Sequence, residues 1–142
     1  MKHLKSLLVF SFSVLFLTTT FGQAKQQTAD KHFEKLEFYA AAPIYSELAK
    51  KAIQGKKHSN WENVRKAAIS NKQLFQYGKA RYYYNKLHET NRLTELDYVD
   101  YIDLLRTIGL YDDAERLLID ANKVYPTNNF VQLLKDKNKQ FA

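Results

Sequence analysis

The 142-residue chain contains no cysteine, four glycines, two prolines and one tryptophan. Without cysteine there can be no disulfide, no thiolate metal site and no lipid-anchored N-terminal cysteine. Few glycines and prolines leave few tight turns, and no run of alternating residues bounded by turns marks a strand, so an all-α chain is expected. The four histidines, His3, His32, His58 and His88, are scattered. No two stand at i, i+4 and there is no HExxH, so no metal centre is expected. Gly55-Lys56-Lys57 lacks the upstream glycine and the following Ser or Thr of a phosphate loop, and reads as a solvated loop. No Gly-x-Ser-x-Gly nucleophile elbow occurs. Asp97/Asp100 and Asp100/Asp103 stand one helical turn apart, a spacing that suits acid/base work, but they read as the solvent side of an amphipathic helix. These absences predict a protein that is not an enzyme and holds no cofactor.

The N-terminus has the three-part layout of a secretory signal peptide over residues 1–24. Lys2 and Lys5 make a positive start, Leu7–Leu17 an apolar run, and Gly22 and Ala24 supply small residues at the cut. The apolar run falls short of the ~20 residues that a membrane span needs. The expectation is an exported mature chain, 25–142, with no integral span after cleavage and the size of one domain.

Within that domain one stretch sets the pattern, Glu95 to Pro126. Tyr98, Tyr101, Ile102 and Leu105 fall at i, i+3, i+4 and i+7, on one face of a helix. Gly109 breaks the pattern and can take a positive φ. Asp112 and Asp113 open a second helix, Ala114, Leu117, Leu118 and Ala121 give its apolar face, and Pro126 stops it. This spacing resembles a tetratricopeptide repeat. A shift of 34 residues places Ala114 on Ala80, Tyr111 on Tyr77 and Leu118 on Tyr84, which defines a second copy from Trp61 to Thr94. That copy departs from the pattern at Asn71, at Phe75 in place of glycine and at Arg92 in place of proline. A third copy precedes it, with Phe38, Ala41, Tyr45 and Leu48 matching Tyr77, Ala80, Tyr84 and Leu87. Ala41 to Ala80 is 39 residues, so five extra residues are expected within Ile53–Asn60. Three copies suffice for stacked helical pairs to bury a continuous core.

The expected fold is therefore a right-handed solenoid of about three helical hairpins, over residues 25–55, 61–94 and 95–128, with a capping helix over 129–141. Thr28–Leu36 should form the first helix, with Ala29, Phe33 and Leu36 inward, and Phe38–Lys51 its partner. Pro43 loses little if that partner begins at Phe38 or later, which leaves it in or near the first turn, and kinks the helix if it begins earlier. Ser59 or Asn60 should cap the helix near Trp61, and Asn128 or Asn129 the last helix, whose inner face is Phe130, Leu133, Leu134 and Phe141. Tyr45, Tyr77, Tyr84, Tyr98, Tyr101 and Tyr111 occupy packing positions, whereas Tyr82 and Tyr83 have none.

Charge is unevenly spread. Lys50 to Arg92 carries 11 basic residues against two acidic ones, and Leu93 to Asp120 carries two basic against eight acidic. Neighbouring repeats that attract each other, or a polar partner docked by charge, would each use this asymmetry. An exported chain meets little nucleic acid, so none is expected as a partner.

Ala29–Lys51, together with NKQLFQYGKARYYYNKL and ELDYVDYIDLLRTIGLYDDAERLL, is similar to the N-terminal tetratricopeptide region of OmpA-family outer-membrane proteins of Gram-negative bacteria, some linked to type IX secretion. The resemblance implies a helical-repeat fold and a periplasmic or cell-envelope location. In those proteins a β-propeller and a peptidoglycan-binding domain follow the repeats. Neither is read in these 142 residues, so peptidoglycan binding is not carried over. The expected work is that of a scaffold binding a protein or peptide partner of acidic character in the envelope. The alternative is a structural or stability subunit of a secretion-type envelope assembly. In such arrays the first helix of each pair lines the concave side. Arg65, Ile69 and Lys72 share that face in the second copy, Val99, Asp103 and Arg106 in the third, and Phe33, with Glu34, adds to it from the first. Relatives of another branch clamp a C-terminal carboxylate with basic and amide side chains; Asp100 and Asp103 stand where that clamp would need neutral or basic groups, so it is not expected here.

Overall fold

A computed structural model describes residues 22–55 and 60–139, without the side chains of 137–139. The signal segment up to residue 21, Ser59 and Phe141 lie outside the described residues. Among the described residues the chain is all-helical. The helices are α1 (residues 22–34), α2 (Phe38–Ile53), α3 (Glu62–Gln73), α4 (Tyr77–Glu89), α5 (Glu95–Thr107), α6 (Tyr111–Val124) and α7 (Phe130–Lys139).

Three helix pairs, α1/α2, α3/α4 and α5/α6, close through one and the same turn. Leu36, Phe75 and Gly109 take φ of 59°, 58° and 78°. In each turn that residue donates its N–H three residues back, and the next residue donates five back: Glu37 to His32 at 2.9 Å, Gln76 to Asn71 at 2.9 Å and Leu110 to Leu105 at 2.8 Å. This is the Schellman closure, which satisfies carbonyls that the helix end would otherwise orphan. The three turns lie 39 and 34 residues apart, as the sequence offsets do. The extra residues are shared between two places rather than confined to Ile53–Asn60. α2 has 16 residues against 13 in α4, and the connection after it is also longer.

Only the third turn has a glycine where a left-handed residue is needed. An L side chain in that conformation costs about 1–2 kcal/mol, partly offset by the lower entropy cost of fixing a non-glycine residue. Phe75 is 76% exposed and touches only the edge of Tyr77 among aromatic rings. Phe75→Gly should therefore raise stability by a few tenths to about 1 kcal/mol in urea unfolding, whereas Phe75→Ala should not. A loss of stability on Phe75→Gly would show that the ring matters more than the backbone.

Leu36 occupies the same strained position, so it is 71% exposed rather than inward, and Ala29 and Phe33 alone carry the inner face of α1. The helix also starts earlier than Thr28 and ends at residue 34, because nothing between Gly22 and Glu34 breaks it. Thr28 Oγ1 donates to the Ala24 carbonyl at 2.9 Å within this early turn. Pro43 lies five residues into α2, beyond the first turn. It has no N–H, so the Tyr39 carbonyl lacks its helical donor. Both residues face solvent, where that loss is cheapest.

Two of the predicted cap residues make side-chain bonds at helix starts, Asn60 one residue ahead of the α3 N-cap Trp61, while α2, α4 and α6 have no side-chain cap and the box on α5 was not expected. The Asn60 side chain accepts from Glu62 N at 2.9 Å, and Asn129 from Gln132 N at 3.1 Å. Thr94 and Asp97 form a reciprocal capping box on α5.

The core runs through all pairs. Ala41, Ala80 and Ala114 are at most 1% exposed, and Tyr98, Tyr101, Ile102 and Leu105 are all buried. Tyr84 stacks on Tyr101 with ring centres 5.3 Å apart, joining α4 to α5. Phe130 and Leu134 of α7 close the last pair, with Phe130 against Tyr98 and Tyr125. Two tyrosines depart from expectation. Tyr111 is exposed because its counterpart Tyr77 packs on Phe75, and the matching residue beside Tyr111 is Gly109, which has no side chain. Tyr83 is buried, on the flank of α4 that faces α2. The junction between α4 and α5 is much sparser than those between α2, α3 and α4.

Candidate functional site

The expected concave face is present as a set of neighbours, but its charges are spent within the chain. Arg65 Nε donates to Asp97 Oδ2 at 2.7 Å, its terminal nitrogens reach the Glu62 carboxylate and, at 2.9 Å, the Arg92 carbonyl. Lys72 Nζ lies 2.7 Å from Asp103 Oδ2 and 3.2 Å from Asp100 Oδ1. Asp97 is 2% exposed. The carboxylates expected on the solvent side of α5 thus turn toward the cations of α3. Burial alone would pull the Arg65 guanidinium down; the charges and hydrogen bonds of Asp97 and Glu62 outweigh it and hold it above its ordinary value.

Other residues of that face divide. Val99 is buried and Ile69 half-buried, so Val99 offers no floor to a ligand. Arg106 is exposed. Phe33 packs edge-on against Phe38 and Tyr45, with the Lys66 ammonium 5.4 Å from its ring centre. Lys66 also pairs with Asp30 at 2.6 Å, and the Tyr45 hydroxyl donates to the same carboxylate at 2.7 Å. Along this side α1 meets α3 acid to base, and α3 meets α5 base to acid. Part of the charge asymmetry of the sequence is used in joining neighbours.

Asp30 gives this lacing a pH signature. Desolvation pushes its carboxyl upward, but hydrogen bonds from Lys66, Tyr45 and Gln26 and the Lys66 charge prevail and hold it below 3.8. A depressed folded value means that the stabilisation is fully present above the unfolded value and is lost as pH falls through the folded one. Tyr45→Phe should cost about 1–2 kcal/mol at neutral pH and flatten the loss of stability below about pH 4. Urea unfolding across that range checks it; an unchanged acid slope would remove Tyr45 from the network.

On the opposite side, two grooves lie between successive second helices. One, of about 510 Å³, runs between α2 and α4 over the end of α3, with Tyr39, Pro43, Lys50, Leu74, Lys79 and Tyr83 among its walls. The other, of about 300 Å³, lies between α4 and α6 over α5 and includes Arg81, His88, Asp113, Arg116 and Asp120. They occupy equivalent places in successive pairs, yet differ in charge. In the α4/α6 groove Arg81 and Arg116 both reach Asp113, and His88 lies 3.7 Å from Asp120. In the α2/α4 groove no carboxylate is among the described lining residues. Lys79 donates only to the neutral Gln76 side chain, at 2.8 Å, and Lys50 has no ion-pair partner among the described residues. Glu47, one turn before Lys50, is taken by Lys25 at 2.7 Å.

These groove residues are not among those singled out from helical periodicity. Tyr39 and Lys79 belong to different pairs, and only the tertiary arrangement joins them. The sequence signal that pointed there was Pro43, a helix-breaking residue held on an exposed face.

No group of three or more His, Asp or Glu side chains able to hold a metal ion occurs among the described residues, and none of the described helices is long and apolar enough to cross a membrane. Compared with known proteins, the chain matches no family model, no curated protein and no solved structure.

Proposed function

We propose that this chain is an exported, non-enzymatic protein-interaction module of the tetratricopeptide kind. Its three helical hairpins would stack as a right-handed solenoid capped by α7, working as a scaffold in the periplasm or cell envelope of a Gram-negative bacterium. The observation that carries the repeat reading is the Schellman turn inside each pair, at Leu36, Phe75 and Gly109, each five residues before a buried alanine, Ala41, Ala80 and Ala114; the same turn also occurs at Asn91 between the second and third pairs. A unit repeated in this way cannot bury its apolar face alone, and stacking leaves long grooves open to a polypeptide. Export rests on the N-terminal segment of basic start, apolar run and small residues. On this reading Arg65, Lys72 and Asp103 set the pitch between pairs rather than meeting the partner.

In-cell crosslinking, followed by identification of the captured protein and N-terminal sequencing of the exported chain, tests the proposal. The expected result is a defined envelope partner and a chain that starts near Lys25. A chain still starting at Met1 would sink export, and the absence of any reproducible partner would sink the scaffold reading.

A subunit role in an envelope assembly is favoured by one feature: Leu36, Tyr39, Phe75 and Tyr111, at the hairpin tips, are 71%, 74%, 76% and 68% exposed. Exposed apolar side chains of this size at the hairpin tips suit burial in an interface. Sizing on dilution separates the two, since an obligate assembly persists.

A further inference from the structure

The geometry points to the α2/α4 groove as the docking site of an extended acidic polypeptide segment from another protein. This rests on the interaction-module reading and names the surface and the chemistry of its partner.

Three observations converge on it. The first is charge. Lys50 and Lys79 stand on opposite walls, and neither makes an ion pair with a carboxylate among the described residues. Between neighbouring pairs several cations are matched: Lys66 by Asp30, Arg65 by Asp97, Lys72 by Asp100 and Asp103, and Arg81 by Asp113. The equivalent groove between α4 and α6 is matched as well. Uncompensated positive charge is thus kept in one groove of two that are otherwise alike. Such a surface attracts a negative partner and repels a positive one.

The second observation is an acceptor. Pro43 has no N–H to give the Tyr39 carbonyl, which therefore lacks its helical donor, and both residues line the groove. A free carboxylate or a phosphodiester has no proton to give this acceptor. The N–H groups of an extended main chain do, in the manner of peptides that pair with unsatisfied backbone. Acid side chains for the lysines and N–H donors for the carbonyl come together only in a polypeptide.

The third is the wall itself. Tyr39 is 74% exposed and Tyr83 is buried, and both line the groove with Leu74 and Pro43. Aromatic side chains that are exposed alone and covered by a ligand supply area at low conformational cost.

The test uses the full mature chain and a fluorescein-labelled twelve-residue peptide alternating Glu with Ala and Val, read by fluorescence anisotropy at low ionic strength. A counterpart with Gln in place of Glu measures the charge contribution. The expected result is binding of the Glu peptide and loss of about tenfold or more with the Gln peptide or with Lys50→Glu/Lys79→Glu. Lys35→Glu/Lys123→Glu, the same charge change away from the groove, should leave affinity within about twofold at matched salt. Pro43→Ala restores a donor to the Tyr39 carbonyl and keeps the fold, and should weaken the Glu peptide several-fold. Equal weakening by both lysine pairs would reduce the effect to net charge and overturn the site. Competition by inorganic phosphate as effective as unlabelled peptide, or unchanged affinity of Pro43→Ala, would overturn the polypeptide as occupant. Crosslinking in cells separates this proposal from its premise. A partner captured equally by wild type and by Lys50→Glu/Lys79→Glu keeps the interaction module and rejects the groove, whereas no partner with either rejects the premise itself.

Discussion

Asp97→Ala is expected to lower the unfolding free energy by about 3 kcal/mol, near the lower end of the range for breaking one partner out of a buried ion pair. Asp97 Oδ2 accepts from Arg65 Nε at 2.7 Å, from Thr94 N at 2.8 Å and from Thr94 Oγ1 at 2.9 Å. Truncation removes the acidic half of the capping box on α5 and leaves the half-buried Arg65 without its closest counter-charge. Glu62 still reaches that guanidinium, which keeps the cost from rising further. Asp97→Asn retains an acceptor for Thr94 N and should cost about 1–2 kcal/mol. In an Arg65→Leu background, Asp97→Ala should cost at least about 1 kcal/mol less than in wild type, because no stranded charge remains. A loss below about 1 kcal/mol on Asp97→Ala by urea unfolding would show that the pair does not hold α3 to α5.

The second large effect is steric. Ala80 and Ala114 are 0% and 1% exposed at equivalent places on α4 and α6. Leucine at either should overpack the contact with the preceding helix of the pair and cost about 1–3 kcal/mol. The two lie on separate hairpins, so their effects should add within about 0.5 kcal/mol. Glu115→Leu, one residue along on the exposed side of α6, should stay within about 0.5 kcal/mol of wild type. Tolerance of both alanine substitutions would contradict the shared register of the hairpins.

The helix pairs are legible in the sequence because burial repeats at helical spacing: Tyr98, Tyr101, Ile102 and Leu105 face inward as their spacing demands. The turn at Phe75 is legible only through its offset from Gly109, since phenylalanine itself disfavours a positive φ. Leu36 shows the cost of lacking that clue. By hydrophobicity it belongs inside, and its backbone position puts it outside. The acids of α5 mislead for a different reason. A helix inside an array has buried flanks as well as a buried face, so Asp97, Asp100 and Asp103 stand off the apolar stripe and still meet α3. The blocks of opposite charge in the sequence were the visible sign of that pairing. As for the candidate site, Arg65 and Lys72 do share one face, but periodicity within a helix cannot say what stands opposite. The α2/α4 groove was invisible to it altogether, because its two lysines lie on helices separated by a whole hairpin segment.

The sparse junction between α4 and α5 has a mechanical consequence. Between α2, α3 and α4, and between α5 and α6, consecutive helices adhere over broader apolar faces, which resist sliding and bending alike. Here the ring stack of Tyr84 on Tyr101 and the ion pairs from α3 to α5 bear most of the load. Stacked rings slide more readily than interlocked side chains part, and charges hold direction less firmly than shape. Torque applied across the helices therefore concentrates at this joint, with four helices turning as a handle on one side and three on the other.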